Sequence, residues 1–576
     1  MRAAKAAAAL VLPVVLMAVL GAAPLSRAQQ VSWSKSTWIV LPAVVESPSG
    51  YSGAVVNVTV TLSYPGTGAV AVHNGTGTVT GSTLYSMEMA YLVAMTYAGL
   101  DWMDYNLTVY MNYTGPVSGP SGSFGVMLAT YALASGLDTS ALHEYAITGA
   151  VSPSGLSGPI GGLQYKCEAA SAHGLGIVYP VGNLVSGRAY CNATRAVPVA
   201  GIVNASRSIL GAYNATLSIE APAIPGFDEV MHRVAEGFIG NATALLDSVA
   251  ASSSTIERDA TLYSEVEGYV GAAKSDLEYA DEYLSALPYA AASYAFTAYI
   301  NSAAANLTVW AYREYLRGAS PSQLFLSINS TVWEEAARML GALQNMTTST
   351  ASLVSYEMMA TAAARLADAM YYAQYAAEFS SLISSNVSEI YVPAYYAAVG
   401  EARVASAVGW IEAAEESKNL SPFISPEFVE ATSYMLARYA NVSISYADSL
   451  ISYYVSQLED VGDSAVAQGL LEMEGDLNYL LSTGLSLYNE SRYVDSIGVF
   501  DDALTNALDV IFIEQTQSFN LTQVIAAYEH ELTWEYNLVA ASLTKHGLFS
   551  PLDLQYMTYA QTLTPTDPQD AIYIMA

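Results

Sequence analysis

The segment 118–136, SGPSGSFGVMLATYALASG, sets Ser118, Ser121 and Ser123 in a Gly/Ser-rich turn that runs straight into an apolar helix. A serine at such a place either caps the helix or serves as a nucleophile. Its hydroxyl attacks only once a base takes the proton. Several routes to such a base fail. The chain has no G-x-S-x-G elbow and no G-x-x-x-x-G-K-[ST] phosphate loop. The stretch YEHELTWEY (528–536) opens like a zinc-protease helix, but Trp534 stands where the second histidine belongs, so His530 and Glu531 are expected in solvated or capping roles. His143-Glu144 reads as a surface pair. The 6 histidines are scattered and 2 cysteines cannot build a Cys-rich zinc site, so neither metal nor cofactor is expected. Serine with lysine remains. Lysine is a base only when neutral, and an apolar setting that penalises the ammonium can draw its pKa from ~10.4 toward ~7–8. Beyond residue 28 the lysines are Lys35, Lys166, Lys274, Lys418 and Lys545.

The elements that must position these residues fall into two textures. Residues 29–220 are rich in Gly, Val and Pro, with period-two runs at 54–64 and 68–79 around the turn signal PGTG, and another strand at 105–114. Helices are expected at 84–99, stopped by Gly99, and at 122–135, stopped by Gly136. Short apolar runs at 145–151 and 175–181 read as buried strands. Interleaved strands and helices make this half α+β or α/β. The segment APAIPGF (221–227) reads as a linker. Residues 228–576 carry long helical periods, such as 357–383 and 466–484. Breaks are expected at Pro288, Pro321, Pro393, Pro422, Pro426, Pro551, Gly462 and Gly484. An antiparallel helical array follows, without a fixed repeat period. Its Tyr and Met stripes read as helix packing.

Arg2 and Lys5, an apolar run over 6–23 and the small residues of Ser26-Arg27-Ala28 have the layout of a secretory signal peptide, with cleavage expected after Ala28. Sixteen of the 21 asparagines stand in N-x-[ST]: Asn57, Asn74, Asn106, Asn112, Asn192, Asn204, Asn214, Asn241, Asn306, Asn329, Asn345, Asn386, Asn419, Asn441, Asn489 and Asn520. That excess points to an N-glycosylated protein, secreted or on the cell surface. In an oxidising exterior Cys167 and Cys191 are expected to pair, closing a loop of about 24 residues and adding about 2–4 kcal/mol. With 20 basic against 52 acidic residues the net charge is −32, and no basic run breaks it. This excludes nucleic acid as a natural partner.

Residues 145–183, YAITGAVSPSGLSGPIGGLQYKCEAASAHGLGIVYPVGN, bring the serine question to a family. Together with the turn at 118–125 they resemble the proteolytic domain of Lon-type serine proteases, over about residues 36–215. The matches are Thr148-Gly149, Gly155, Pro159-Ile160-Gly161-Gly162-Leu163, Lys166 and Tyr179-Pro180. The resemblance implies an α+β Lon-like proteolytic domain followed by the all-α helical array. It implies a Ser–Lys dyad with Lys166 as the base, oriented by Thr148. An ungapped interval from Lys166 puts the nucleophile at Ser123, with Gly125 two residues on, and makes Ser121 the runner-up. Gly122 and the helix start would supply oxyanion N–H groups, with Ile147, Ile160 and Leu163 as the apolar setting of the amine. Pro120, Ala150 and Gln164 depart from the family pattern. The expected function is a secreted, ATP-independent serine endopeptidase acting on unfolded protein or peptide, with a cell-envelope or surface-layer partner and oligomerisation both open. The alternative is a non-catalytic surface glycoprotein on the same fold. A sugar-binding module using exposed Tyr and Trp is a third reading, with no local motif behind it.

Overall fold

A computed structural model describes residues 32–48, 50–192, 195–212, 226–346, 351–383, 387–420, 422–461, 464–508, 510–511, 521–545, 548 and 550–575. The expected signal segment, residues 221–225 of the expected linker, and Asn214, Asn386 and Asn520 lie outside the described residues.

Two long strands, β1 (Trp33–Ser47) and β2 (Gly50–Tyr64), pair antiparallel from Trp33↔Tyr64 to Ser47↔Gly50. In β2, Val56, Val58, Val60 and Leu62 are buried while Asn57 and Thr59 face out, the period-two pattern of a strand with one covered face. With β3 (Val70–Asn74), β4 (Asn106–Met111), β5 (Tyr145–Ile147), β8 (Gly176–Pro180) and β9 (Ala196–Val199) they form a mixed sheet in the order β3-β4-β2-β1-β5-β8-β9. The run 145–151 is not one strand. It leaves the sheet at Thr148-Gly149 and continues as a separate hairpin of β6 (Ala150–Val151) and β7 (Ser157–Gly158). The expected strand at 68–79 ends early, because Asn74 turns the chain by donating Nδ2–H bonds to Thr78 O (3.3 Å) and Gly115 O (2.8 Å). Among the described sequon asparagines Asn74 is the buried one, at 4% exposed. Asn57, Asn112, Asn192, Asn241, Asn345, Asn419, Asn441 and Asn489 are exposed, while Asn106, Asn204, Asn306 and Asn329 are half-buried.

Alternate residues of β1 serve two cores. Ile39 and Leu41 join the helices α1 (Gly81–Tyr97) and α2 (Ser123–Ser135), whereas Val40 joins Leu163, Cys167 and Ala170 of α3 (Leu163–Ala172). The sheet is therefore covered on both faces. Helix α2 is buried on every side from Ser123 to Leu133, and Gly136 ends it at φ 68°, a left-handed stop. Gly162 starts α3 at φ 65°. The Cys167–Cys191 disulfide, with a Cα–Cα distance of 5.1 Å, ties α3 to the end of α4 (Leu184–Tyr190). Helix α5 (Ile202–Leu210) completes this half.

The helical array follows as α6 (Phe227–Ser252), α7 (Ala260–Tyr283), α8 (Pro288–Leu316), α9 (Pro321–Met346), α10 (Leu353–Leu382), α11 (Tyr391–Ser417), α12 (Pro426–Val461), α13 (Ser464–Asn489), α14 (Tyr493–Leu508), α15 (Leu521–Lys545), α16 (Pro551–Leu563) and α17 (Pro568–Met575). Proline opens several of these helices because the first turn needs no intrahelical N–H. Gly484 breaks nothing. It lies within α13, where Phe500 packs against it so closely that a side chain would collide. One hydrophobic core runs from Ile39 through both halves to Met575. Among the described residues no helix is long and apolar enough to cross a membrane.

Candidate active site

Ser121 sits two residues before α2, in the turn that β4 feeds into the helix. Its carbonyl accepts the Gly149 N–H at 2.8 Å and the Thr148 hydroxyl at 3.0 Å, so the turn is fastened where β5 leaves the sheet. Thr148 is anchored in turn by its N–H to Val178 O at 2.9 Å. Helix α3 brings Lys166 to the same point, with Nζ 2.8 Å from Ser121 Oγ and 3.1 Å from Thr148 Oγ1.

Sequence spacing favours Ser123, but the structure pairs Lys166 with Ser121. Ser123 is the first residue of a helix with no solvent face, and its side chain is fully buried. Its Oγ accepts the Val151 N–H at 2.9 Å, which fastens the β6–β7 hairpin to α2. Its own amide is bonded to Pro120 O at 2.9 Å, which removes that N–H from the expected oxyanion donors. Among the described residues the Ser121 and Gly122 amides donate to no backbone carbonyl, and they lie at the start of α2, where the helix dipole favours negative charge.

The remaining motif residues divide into packing and lining. A side chain at Gly125 would press on Leu41 and Ile147, and one at Gly149 would meet Phe124 and Ser157. Pro159 packs over Gly182. Gly161 is exposed with open space around it, and with Gly162 it borders the cleft.

Lys166 is 3% exposed, and burial lowers its pKa from 10.5 to about 7. No carboxylate contributes to that shift. Near neutral pH a large share of molecules therefore carries the free amine. Thr148 has committed its hydroxyl proton to Ser121 O, so its oxygen accepts one amine N–H. The amine and the Ser121 hydroxyl, 2.8 Å apart, stand within the range in which a general base takes a proton.

Both groups open into a cleft of about 550 Å³. Leu41, Met87 and Met111 line it with apolar surface; Tyr51, Tyr113 and Tyr165 add aromatic wall, and Lys166 is its one ionisable group near neutral pH. One wall is β1. Beyond Val40, which pairs with Ala146 of β5, the outer edge of β1 has no strand partner among the described residues. The sequence reading missed this wall, because Pro42 interrupts the run; its signal was the flanking apolar stretch WIVLPAVV (38–45). His143 stacks on Trp38 and Glu144 pairs with Arg195, so neither reaches the cleft. No protein-family model matches the chain, and no curated protein matches it.

Proposed function

We propose that the chain is a serine endopeptidase with Ser121 as nucleophile and Lys166 as general base, a Lon-like proteolytic unit working without ATP outside the cell. The observation that carries this reading is a buried, uncompensated lysine amine held 2.8 Å from a serine hydroxyl at a cleft. Ser121 Oγ attacks the substrate carbonyl while Lys166 takes its proton, and the Ser121 and Gly122 amides receive the developing oxyanion. The protonated Lys166 then delivers that proton to the leaving amine, leaving an acyl ester on Ser121. In the second half Lys166 deprotonates a water molecule, which attacks the ester and releases the acid, and Ser121 recovers its proton from Lys166. The free edge of β1 supports an extended chain as substrate, since an unpaired strand edge offers main-chain hydrogen bonds to a peptide. The order Thr148-Gly149, Gly155, Pro159-Ile160-Gly161-Gly162-Leu163 and Lys166 along this site supports the family resemblance. The exposed sequons support an extracellular, glycosylated setting.

The test is turnover of unfolded casein without ATP by the wild type and by Ser121→Ala, Lys166→Ala and Ser123→Ala. Loss in the first two with activity retained in Ser123→Ala is expected. Full activity in Ser121→Ala overturns the assignment. A wild type that stays inert from pH 5 to pH 10 favours the non-catalytic surface glycoprotein.

A further inference from the structure

We propose that the helical half is a positioning brace for Ser121, acting through Tyr439, Tyr528 and Glu531 on the β6–β7 hairpin; this rests on the reading of Ser121 as nucleophile. The hairpin starts one residue after Gly149, whose amide holds the Ser121 carbonyl, and its Val151 amide holds Ser123. The segment between its strands is a short turn, closed by the Ser152 N–H to Leu156 O and the Gly155 N–H to Ser152 O, both at 3.0 Å. The helical half grips it at two carbonyls. Tyr439 of α12 donates to Pro153 O at 2.7 Å, and Tyr528 of α15 donates to Ser157 O at 2.9 Å. From the other side Tyr97 of α1 donates to Ser154 O at 2.8 Å.

A third grip is indirect. Glu531 accepts the Val203 N–H at 2.8 Å and the Asn204 N–H at 3.1 and 3.0 Å, at the first turn of α5. That turn is stitched to the hairpin by the Ser157 N–H to Ala200 O at 2.7 Å and by the Leu156↔Gly201 bridge. Tyr528, Glu531 and Glu535 are spaced three and four residues apart, so they share one face of α15. Burial pushes the Glu531 carboxyl up to about 7, against the two amides and Arg207, which hold it down. This face of α15 takes no part in the cleft. It is buried, it lies away from the cleft, and Trp534 forecloses a metal site with His530.

The brace predicts a defect in chemistry with little change in substrate binding, because a small misplacement of reacting groups is costly in rate. The experiment uses the full chain and an activated peptide ester, following acylation of Ser121 by rapid mixing. Tyr528→Phe, Tyr439→Phe and their pair keep the rings and remove the bonds. The pair is expected to slow acylation about tenfold or more at unchanged KM. Its rate should also rise with pH at a higher apparent pKa than the wild type, as water reaches Lys166. Glu531→Ala is expected to follow the pair, and Glu531→Gln, which keeps an acceptor, to recover most of the rate. Folding is checked by circular dichroism, and if Glu531→Ala unfolds, the tyrosine pair decides. Wild-type acylation with an unmoved pH limb in the pair overturns the brace. Acylation persisting in Ser121→Ala overturns the nucleophile assignment instead, which separates the two failures.

Discussion

Replacing Lys166 with methionine should abolish turnover and yet stabilise the protein, with a gain that grows as the pH falls. A lysine in the unfolded chain holds its proton up to about pH 10.5, whereas the buried amine gives it up at about 7. Between those values the unfolded state binds more protons than the folded one, so wild-type stability rises with pH. The contribution is fully present above pH 10.5 and is lost as the pH falls to about 7. At about 1.36 kcal/mol per pH unit, the full loss is about 5 kcal/mol below pH 7 and about 2 kcal/mol near pH 9. Methionine is close to lysine in length and carries no charge, so Lys166→Met removes this penalty and adds a pH-independent difference from packing and from the lost bonds to Ser121 and Thr148. Urea unfolding of both proteins at pH 6, 7.5 and 9 reads the difference. A variant whose advantage is the same at all three values, or that is less stable than wild type at pH 6, would refute the reasoning. Either result would mean that the amine is hydrated or neutralised by a carboxylate.

Three further outcomes follow from the same geometry. The kcat/KM for a short peptide should rise tenfold per pH unit at acid pH and level off with an apparent pKa of about 7, as Lys166 loses its proton; a limb centred near 10 would contradict its burial. Ser123→Ala should keep activity but lose about 1–3 kcal/mol of stability, because the buried Val151 N–H is left without its acceptor; urea titration checks this. Reducing the Cys167–Cys191 bridge, which spans 24 residues, should lower stability by about 3 kcal/mol, read as a fall in urea midpoint with and without dithiothreitol.

Much of this was visible in the chain, and the failures have physical causes. The helices around 84–99 and 122–135 and their glycine stops follow from local rules, and they appear as Gly81–Tyr97 and Ser123–Ser135. The long periods of the second half likewise survive as helices, with proline at their first turns. The proposed nucleophile differs from the serine that spacing favours, because an interval counted through a turn is not a fixed length. Turns absorb extra residues at small cost, and Ser121 and Ser123 are 45 and 43 residues before Lys166. The helix itself held the better signal, since a first-turn residue of an all-apolar helix is drawn into the core. Strand β1 was hidden by Pro42, which normally argues against a strand. No local rule could show that the run 145–151 leaves the sheet at Thr148, for that depends on the distant carbonyls of Val178 and Ser121.

The hydrogen bonds by which Tyr439, Tyr528 and Glu531 reach the first half all fall on main-chain atoms. Pro153 O, Ser157 O and the Val203 and Asn204 amides are all backbone groups. Such contacts are indifferent to which side chain stands at the gripped position, provided the backbone keeps its path. At these points a change of side chain in the first half leaves the hydrogen bonds from the helices in place. Among descendants of this sequence, substitutions at positions 153 and 204, which are only half-buried, should accumulate with little correlated change at 439 and 531. A chimera joining the first half of one such descendant to the helices of another should keep the same hydrogen bonds.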